Sequence, residues 1–279
     1  MREEVRVEDI LEKKRKREKI TMLTCYDYSF ASVLDETKID IILVGDSLAN
    51  VVLGLKETRK VSVREMLNHT QAVAKAIQCS LVVADMPYLS YQKDPKKSLY
   101  YAKRFMEKGA DAVKIEWFKD CPYVVKKLIK NKIAVMGHIG LTPQTVHFLG
   151  GFKIQGKTKE EILKLIKQAK ILEELGVFSI VLECIPYQVA KLITQKVKIP
   201  TIGIGAGKYC DGQVLVLYDL IGLYRNKKLK FVRVYGNLYE EVKRAVSEFI
   251  KDVREKKFPL FEESFCLKKK EWEKIKKIL

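Results

Sequence analysis

Five short apolar runs in this chain stop on a polar side chain. DIILVGDS (40–47) ends on Asp46 and Ser47, SLVVADMP (80–87) on Asp85, DAVKIE (111–116) on Lys114 and Glu116, IAVMGHIG (133–140) on His138, and FSIVLECI (178–185) on Glu183. A strand with one wet face alternates apolar and polar residues. These runs are apolar at nearly every position, the pattern of strands covered on both faces. Amphipathic stretches separate them, and apolar runs alternating with amphipathic helices build βα units and a parallel sheet.

ITMLTCYD (20–27), IPTIGIGAG (199–207) and QVLVLYD (213–219) bring the candidate strands to eight. Between them lie helix signals. SLYYAKRFMEKG closes on Gly109, and Thr158 to Leu175 opens on a capping box made by Thr158 and Glu161 and closes on Gly176. The pattern predicts an α/β chain folded as a (β/α)₈ TIM barrel. It is read as a single domain spanning residues 1–279, with an N-terminal helical extension and C-terminal helices. A doubly wound sheet is the competing architecture. One segment resists the barrel: only Lys208 to Gly212 separates the last two strands, too little for a helix. Either the barrel lacks its seventh helix, or QVLVLYD is itself helical.

The bulk properties exclude several classes. With 47% hydrophobic and 32% charged residues over 279 positions, the chain can bury a large core. No run reaches the roughly 18 apolar residues of a membrane span. The first twenty residues are charged throughout and lack the apolar centre of a secretory signal, so a cytoplasmic location is expected. The six cysteines form no C-x-x-C pair and have no histidine at zinc-like spacing, so they read as free thiols. The net charge of +18 raises the possibility of nucleic-acid binding. The lysines, however, are interleaved with glutamates on helix-like segments, and no base-stacking aromatics accompany them. No nucleic-acid partner is expected.

In a barrel the chemistry sits at the C-terminal strand ends. Residues two apart share a face, so Lys114 points with Glu116 and Met136 with His138. Gly203, Gly205 and Gly207 would share a wall and leave room there for a ligand. If the polar ends turn inward, Asp46, Ser47, Asp85, Lys114, Glu116, His138 and Glu183 converge on one mouth. Each has a plainer reading. Asp46, Ser47 and Asp85 suit helix caps, Lys114 could pair with Glu116, His138 could be a core histidine, and Asp27 and Asp219 read as structural. Taken together, carboxylates with a lysine and no cysteine suit Mg²⁺, which keeps waters and takes one or two carboxylates plus substrate. That set performs metal-assisted proton abstraction beside a carbonyl.

TCYDYSFA, LVGDSLANVVLG, HTQAV, VVADMPY, GADAVKIE, GHIGLTPQ, GGFKIQGK, LECIP and IGIGAG-x3-DGQVLVLYD occur in the order found in the ketopantoate hydroxymethyltransferases, and the chain resembles that family from Thr21 to Phe265. The resemblance implies a barrel of the phosphoenolpyruvate/pyruvate group that transfers a one-carbon unit from 5,10-methylenetetrahydrofolate to 3-methyl-2-oxobutanoate. It implies one Mg²⁺ per subunit on Asp46, Asp85 and Glu116, the last directly or through water. The 2-oxo acid would lie on Asp46, Ser47, Asp85 and Lys114. Glu183 would be the proton acceptor, with His138 near the reacting carbonyl. It also implies a homo-oligomer, a decamer. The alternative is an Mg²⁺-dependent 2-oxo acid lyase or mutase of the same group. Three stretches depart from the family pattern: Arg59-Lys60-Val61, Trp117-Phe118 directly after Glu116, and Tyr218 before Asp219.

Overall fold

The computed structural model describes residues 4–147, 150–225 and 229–278. The apolar runs form eight parallel strands: β1 (Ile20–Thr24), β2 (Ile41–Val44), β3 (Leu81–Asp85), β4 (Ala112–Glu116), β5 (Ala134–Gly140), β6 (Ser179–Glu183), β7 (Thr201–Ile204) and β8 (Gly212–Leu215). They close into a barrel in sequence order, with β8 returning to β1 through Ile20 opposite Gly212 and Met22 opposite Val214. The doubly wound sheet is thereby ruled out.

The 208–212 gap resolves in favour of the first option. No helix lies between β7 and β8. Asp211 instead pins the turn, its Oδ2 accepting from the Thr201 N–H at 2.8 Å and from Thr201 Oγ1 at 3.0 Å. QVLVLYD then divides. Its first residues complete β8, while Asp219 falls in a helical turn over Leu217–Leu220.

Helices α1 (Val7–Lys16), α2 (Tyr28–Glu36), α3 (Val63–Ala74), α4 (Ser98–Glu107), α5 (Cys121–Lys130), α6 (Lys159–Leu175), α7 (Tyr187–Lys196), α8 (Leu238–Arg254) and α9 (Lys269–Lys276) complete the architecture. The caps read from sequence operate as expected. Thr158 and Glu161 form the capping box of α6, and Gly176 ends it at φ 90°. Asp27 is structural, its carboxylate accepting the Phe30 N–H at the start of α2.

Two cores share the strands because successive side chains point to opposite faces. Ile20, Met22, Ile41, Leu43, Leu81, Val83, Ala112, Met136, Val181, Ile202 and Val214 fill the barrel. Their neighbours Ile42, Val82, Val113, Val135, Ile180 and Leu182 pack outward under the helices. Helix α1 closes the N-terminal end. Its Ile10 is fully buried and joins the interior cluster. Lys13 reaches Asp40 at 2.6 Å and Lys14 reaches Asp211 at 2.7 Å, so the lid is tied to the loops entering β2 and β8.

This arrangement assigns α1 to stability and not to chemistry. Ile10→Ala removes a fully buried aliphatic side chain, which costs about 2–5 kcal/mol. Denaturant melts should show that loss, while turnover at a temperature where the variant is folded stays at the wild-type level.

Candidate active site

The strand phase that fills the barrel also builds its mouth. Two residues beyond interior Val83 stands Asp85. Beyond Ala112 come Lys114 and Glu116, beyond Met136 comes His138, and beyond Val181 comes Glu183. The ladder register sets these side by side, Asp85 opposite Lys114 and Glu116 opposite His138. Asp46 joins from the loop after β2, where its backbone N–H donates to Asp85 Oδ2 at 2.9 Å. Asp46, Asp85, Lys114, Glu116 and His138 are all buried. The structure thus brings together all seven residues singled out in the sequence.

Several plainer readings fail here. Ser47 occupies a capping position but makes no capping bond. Its hydroxyl instead bonds the Tyr26 hydroxyl at 2.9 Å, which also accepts from Thr24 Oγ1 at 2.7 Å. Lys114 does not pair with Glu116, because its ammonium donates to Asp85 Oδ1. His138 lacks the satisfied bonds of a core histidine. Nε2 lies 3.2 Å from Glu183 Oε2 and Nδ1 lies 3.6 Å from Glu116 Oε1, yet neither nitrogen has an aligned hydrogen-bond partner.

One expectation is overturned. Gly203, Gly205 and Gly207 do not open a wall for a ligand. Strand β7 ends at Ile204, so the period of two does not extend past it, and Gly203 faces outward, opposite in phase to interior Ile202. A Cβ on Gly203 would meet Cys210 Sγ at 2.9 Å, on Gly205 the Phe231 ring at 2.9 Å, and on Gly207 it would collide with the Tyr187 Cβ. These glycines admit protein side chains.

The electrostatics are lopsided. Asp46, Asp85, Glu116 and Glu183 surround a single ammonium. Burial, then the neighbouring Asp85, pushes the Asp46 carboxyl up to about 7. Burial and the Asp46 charge raise Glu116 well above the usual carboxylate range. Burial opposes the charge on Lys114, but Asp85, Asp46 and Glu116 outweigh it and hold the ammonium above its ordinary range. Burial lowers His138, which keeps its ring neutral at pH 7.

The donors suit a hard divalent cation. Glu116 Oε1 is buried without a hydrogen-bond partner, and the surplus of carboxylates over cations is what a divalent ion would offset. Among the described residues, no three His, Cys, Asp or Glu side chains are already gathered as a metal-binding group. Mg²⁺ keeps several waters and takes few protein ligands.

Sequence reasoning passed over Tyr26, Tyr91 and Gln144, which bind the site residues from behind. Tyr91 OH accepts the Glu116 N–H at 3.0 Å, and Gln144 Nε2 donates to Asp46 Oδ2 at 2.9 Å. Tyr26 and Gln144 stood in the quoted motifs TCYDYSFA and GHIGLTPQ, and a polar residue just past a strand end was the available signal. A cavity of about 590 Å³ opens beside this network, lined by Tyr88, Gln92, Trp117, Phe118 and Thr142 among others. The Trp117-Phe118 departure therefore forms part of its wall.

Comparison with known proteins accords with this geometry. The sequence profile of the family described as ketopantoate hydroxymethyltransferase matches residues 4–260. A 3-methyl-2-oxobutanoate hydroxymethyltransferase of Clostridium botulinum (strain Langeland) is 53% identical over 89% of this chain and 90% of its own. One from Sulfolobus acidocaldarius is 50% identical over 91% and 94%. Among solved structures, a phosphonopyruvate hydrolase complex with oxalate and Mg²⁺ superposes with a TM-score of 0.59 at 12% identity, covering 92% of each chain. A 2,3-dimethylmalate lyase of the PEP mutase/isocitrate lyase superfamily gives 0.58 at 12%, covering 93% of this chain and 91% of its own. The structural likeness speaks for the barrel alone, whereas the sequence match runs through every strand end of the mouth: the chain belongs to the ketopantoate hydroxymethyltransferase family.

Proposed function

We propose that the strand-end cluster carries the family's reaction, hydroxymethyl transfer from 5,10-methylenetetrahydrofolate to 3-methyl-2-oxobutanoate, giving 2-dehydropantoate for pantothenate synthesis. The observation that carries this reading is one ladder-fixed row, Asp85–Lys114–Glu116–His138–Glu183, in phase with the barrel interior. The chain is about half identical to transferases and about one-eighth identical to the hydrolase and lyase of like fold, so transfer takes precedence over a lyase or mutase reaction.

Asp46, Asp85 and Glu116 would hold one Mg²⁺ per subunit. Bound there, the cation would supply Lewis acidity that polarises the 2-oxo acid and acidifies its C3–H bond. Lys114 balances the substrate's negative charge, and Ser47, held by Tyr26, offers its hydroxyl to the same group. Glu183 takes the C3 proton, with the neutral His138 ring 3.2 Å from its carboxylate. The C3 carbon then bonds to the methylene carbon as one of its two C–N bonds opens, that nitrogen taking the proton held by Glu183. Water displaces the second C–N bond, its oxygen staying on the carbon and its proton passing to the other nitrogen, and tetrahydrofolate departs. The cavity lined by Tyr88, Trp117 and Phe118 gives the flat pterin aromatic surfaces to stack on.

A homo-oligomer, the decamer of the family resemblance, is part of this reading. Helix α8 has no buried residue, and its Val242, Val246, Phe249, Ile250 and Val253 are exposed. An apolar face of that size calls for a cover, and a second copy is the cover proposed. Among the described residues no helix is long and apolar enough to cross a membrane. Light scattering should give a particle of ten chains, which Val246→Asp with Phe249→Asp reduces in size. A wild-type monomer would remove the oligomer from the reading.

Enolisation needs no folate. In D₂O with Mg²⁺ the protein should exchange the C3 proton of 3-methyl-2-oxobutanoate, and Glu183→Gln should slow exchange by about 10²–10⁴-fold, the usual contribution of a positioned base. If Glu183→Gln exchanges normally and His138→Gln does not, the base is His138.

The raised carboxyl gives a pH signature. A carboxyl held up in the folded state stabilises the fold most below its unfolded value, and that stability is lost as pH rises through the folded value. For Asp46 the window runs from about 4, the unperturbed range, up to about 7. Without metal, the melting temperature should fall across that window. Mg²⁺, which competes with protons for the same oxygens, should restore it increasingly as pH rises. A Mg²⁺ effect that does not vary with pH would contradict the ligand set.

A further inference from the structure

Gln144 sits in the turn Pro143–Thr145 that follows β5, and it is 1% exposed. Its amide orientation follows from its neighbours. The Tyr91 hydroxyl accepts from the Glu116 N–H at 3.0 Å and from Gln92 Nε2 at 3.0 Å, which leaves its own proton for Gln144 Oε1 at 2.9 Å. Gln92 Nε2 also donates to Oε1 at 2.9 Å. Two donors on one atom make that atom the oxygen. The amide nitrogen therefore faces the other way, and it donates to Asp46 Oδ2 at 2.9 Å and to the Met86 carbonyl at 3.0 Å. The Gln144 backbone N–H donates to Glu116 Oε2 at 3.1 Å. Both side-chain protons and both lone pairs of the amide oxygen are in use, so the group cannot turn without breaking several buried bonds.

We infer that Gln144 is a positioning residue for the cation site: from one turn it fixes one oxygen of Asp46 and one of Glu116, leaving the second oxygen of each for the ligand. For Glu116 the remaining oxygen is the buried, unpartnered Oε1. The residue type fits the task. A lysine or arginine here would place a fixed positive charge against the carboxylates and compete with the cation. A glutamate would repel Asp46. Only a neutral side chain that both donates and accepts can bridge the Tyr91–Gln92 pair to Asp46. Phe118 stiffens the far end, its ring meeting that of Tyr91 edge-on at 5.3 Å between centroids.

This inference rests on the cation site proposed above, and the test separates the two. Mn²⁺ is titrated by water-proton relaxation into the full-length wild type, Gln144→Met and Gln144→Asn, each with a thermal melt. Met removes the amide at similar length. Asn keeps an amide in the polar shell but is one methylene too short to span from Tyr91 to Asp46, so it supports the test if the Met variant does not fold. Residues that orient metal ligands are typically worth about 10–100-fold in affinity, and both variants should lose Mn²⁺ affinity in that range. Saturating Mg²⁺ should restore C3 exchange to within about threefold of wild type, because the base Glu183 is untouched. A variant that melts lower yet binds Mn²⁺ as the wild type does would make Gln144 a structural residue and overturn the inference. A wild type that binds no Mn²⁺ would instead remove the cation site itself.

Discussion

A closed ring of eight parallel strands has no edge, and every second side chain is forced into an interior just wide enough for side chains to fill. The mouth depends on that constraint. Closure fixes the phase of each strand, so the residue two beyond an interior valine or methionine must also point inward. Where it is apolar the barrel core simply ends. In β3 to β6 it is Asp85, Lys114 with Glu116, His138 and Glu183, and the core becomes a site. A register slip of one residue would turn all of these toward the helices.

The two ends of the barrel carry different loads. At the N-terminal end, α1 seals the interior with Ile10 and ties itself down with Lys13 and Lys14. At the C-terminal end, carboxylates are crowded around one ammonium, and burial, with the charge of neighbouring carboxylates, raises the proton affinities of Asp46 and Glu116. Such an arrangement costs folding energy that the sealed end and the two cores must offset. It also leaves the mouth ready for a cation and an anionic substrate. Asp85 serves the fold as well as the mouth, because its carboxylate compensates the buried Lys114.

The three departures from the family pattern have structural places. Arg59 pairs with Glu57 at 2.5 Å and touches His147 at 3.3 Å, on the rim of the mouth. Tyr218 packs edge-on against Tyr26 at 5.4 Å, behind the hydroxyl that holds Ser47. Trp117 and Phe118 wall the neighbouring cavity. None replaces a residue of the strand-end row.

Much of this protein is written locally. Runs buried on both faces, the caps at Thr158 and Gly176, and a polar residue at each strand end are short-range patterns. They gave the barrel and the seven converging residues because strand period and capping chemistry act within a few positions. The sequence also limited the 208–212 link to two outcomes. Tertiary structure decided the rest. The glycines of IGIGAG look like an open wall in sequence, yet Cys210, Phe231 and Tyr187 fill the space. Lys114 stands two residues from Glu116 but pairs with Asp85, which the β3–β4 ladder places opposite it. Gln144 meets Asp46 across 98 positions of chain. Those pairings depend on which strand ends closure makes adjacent and on which atoms then come within hydrogen-bonding distance, a geometry that exists only once the ring has formed.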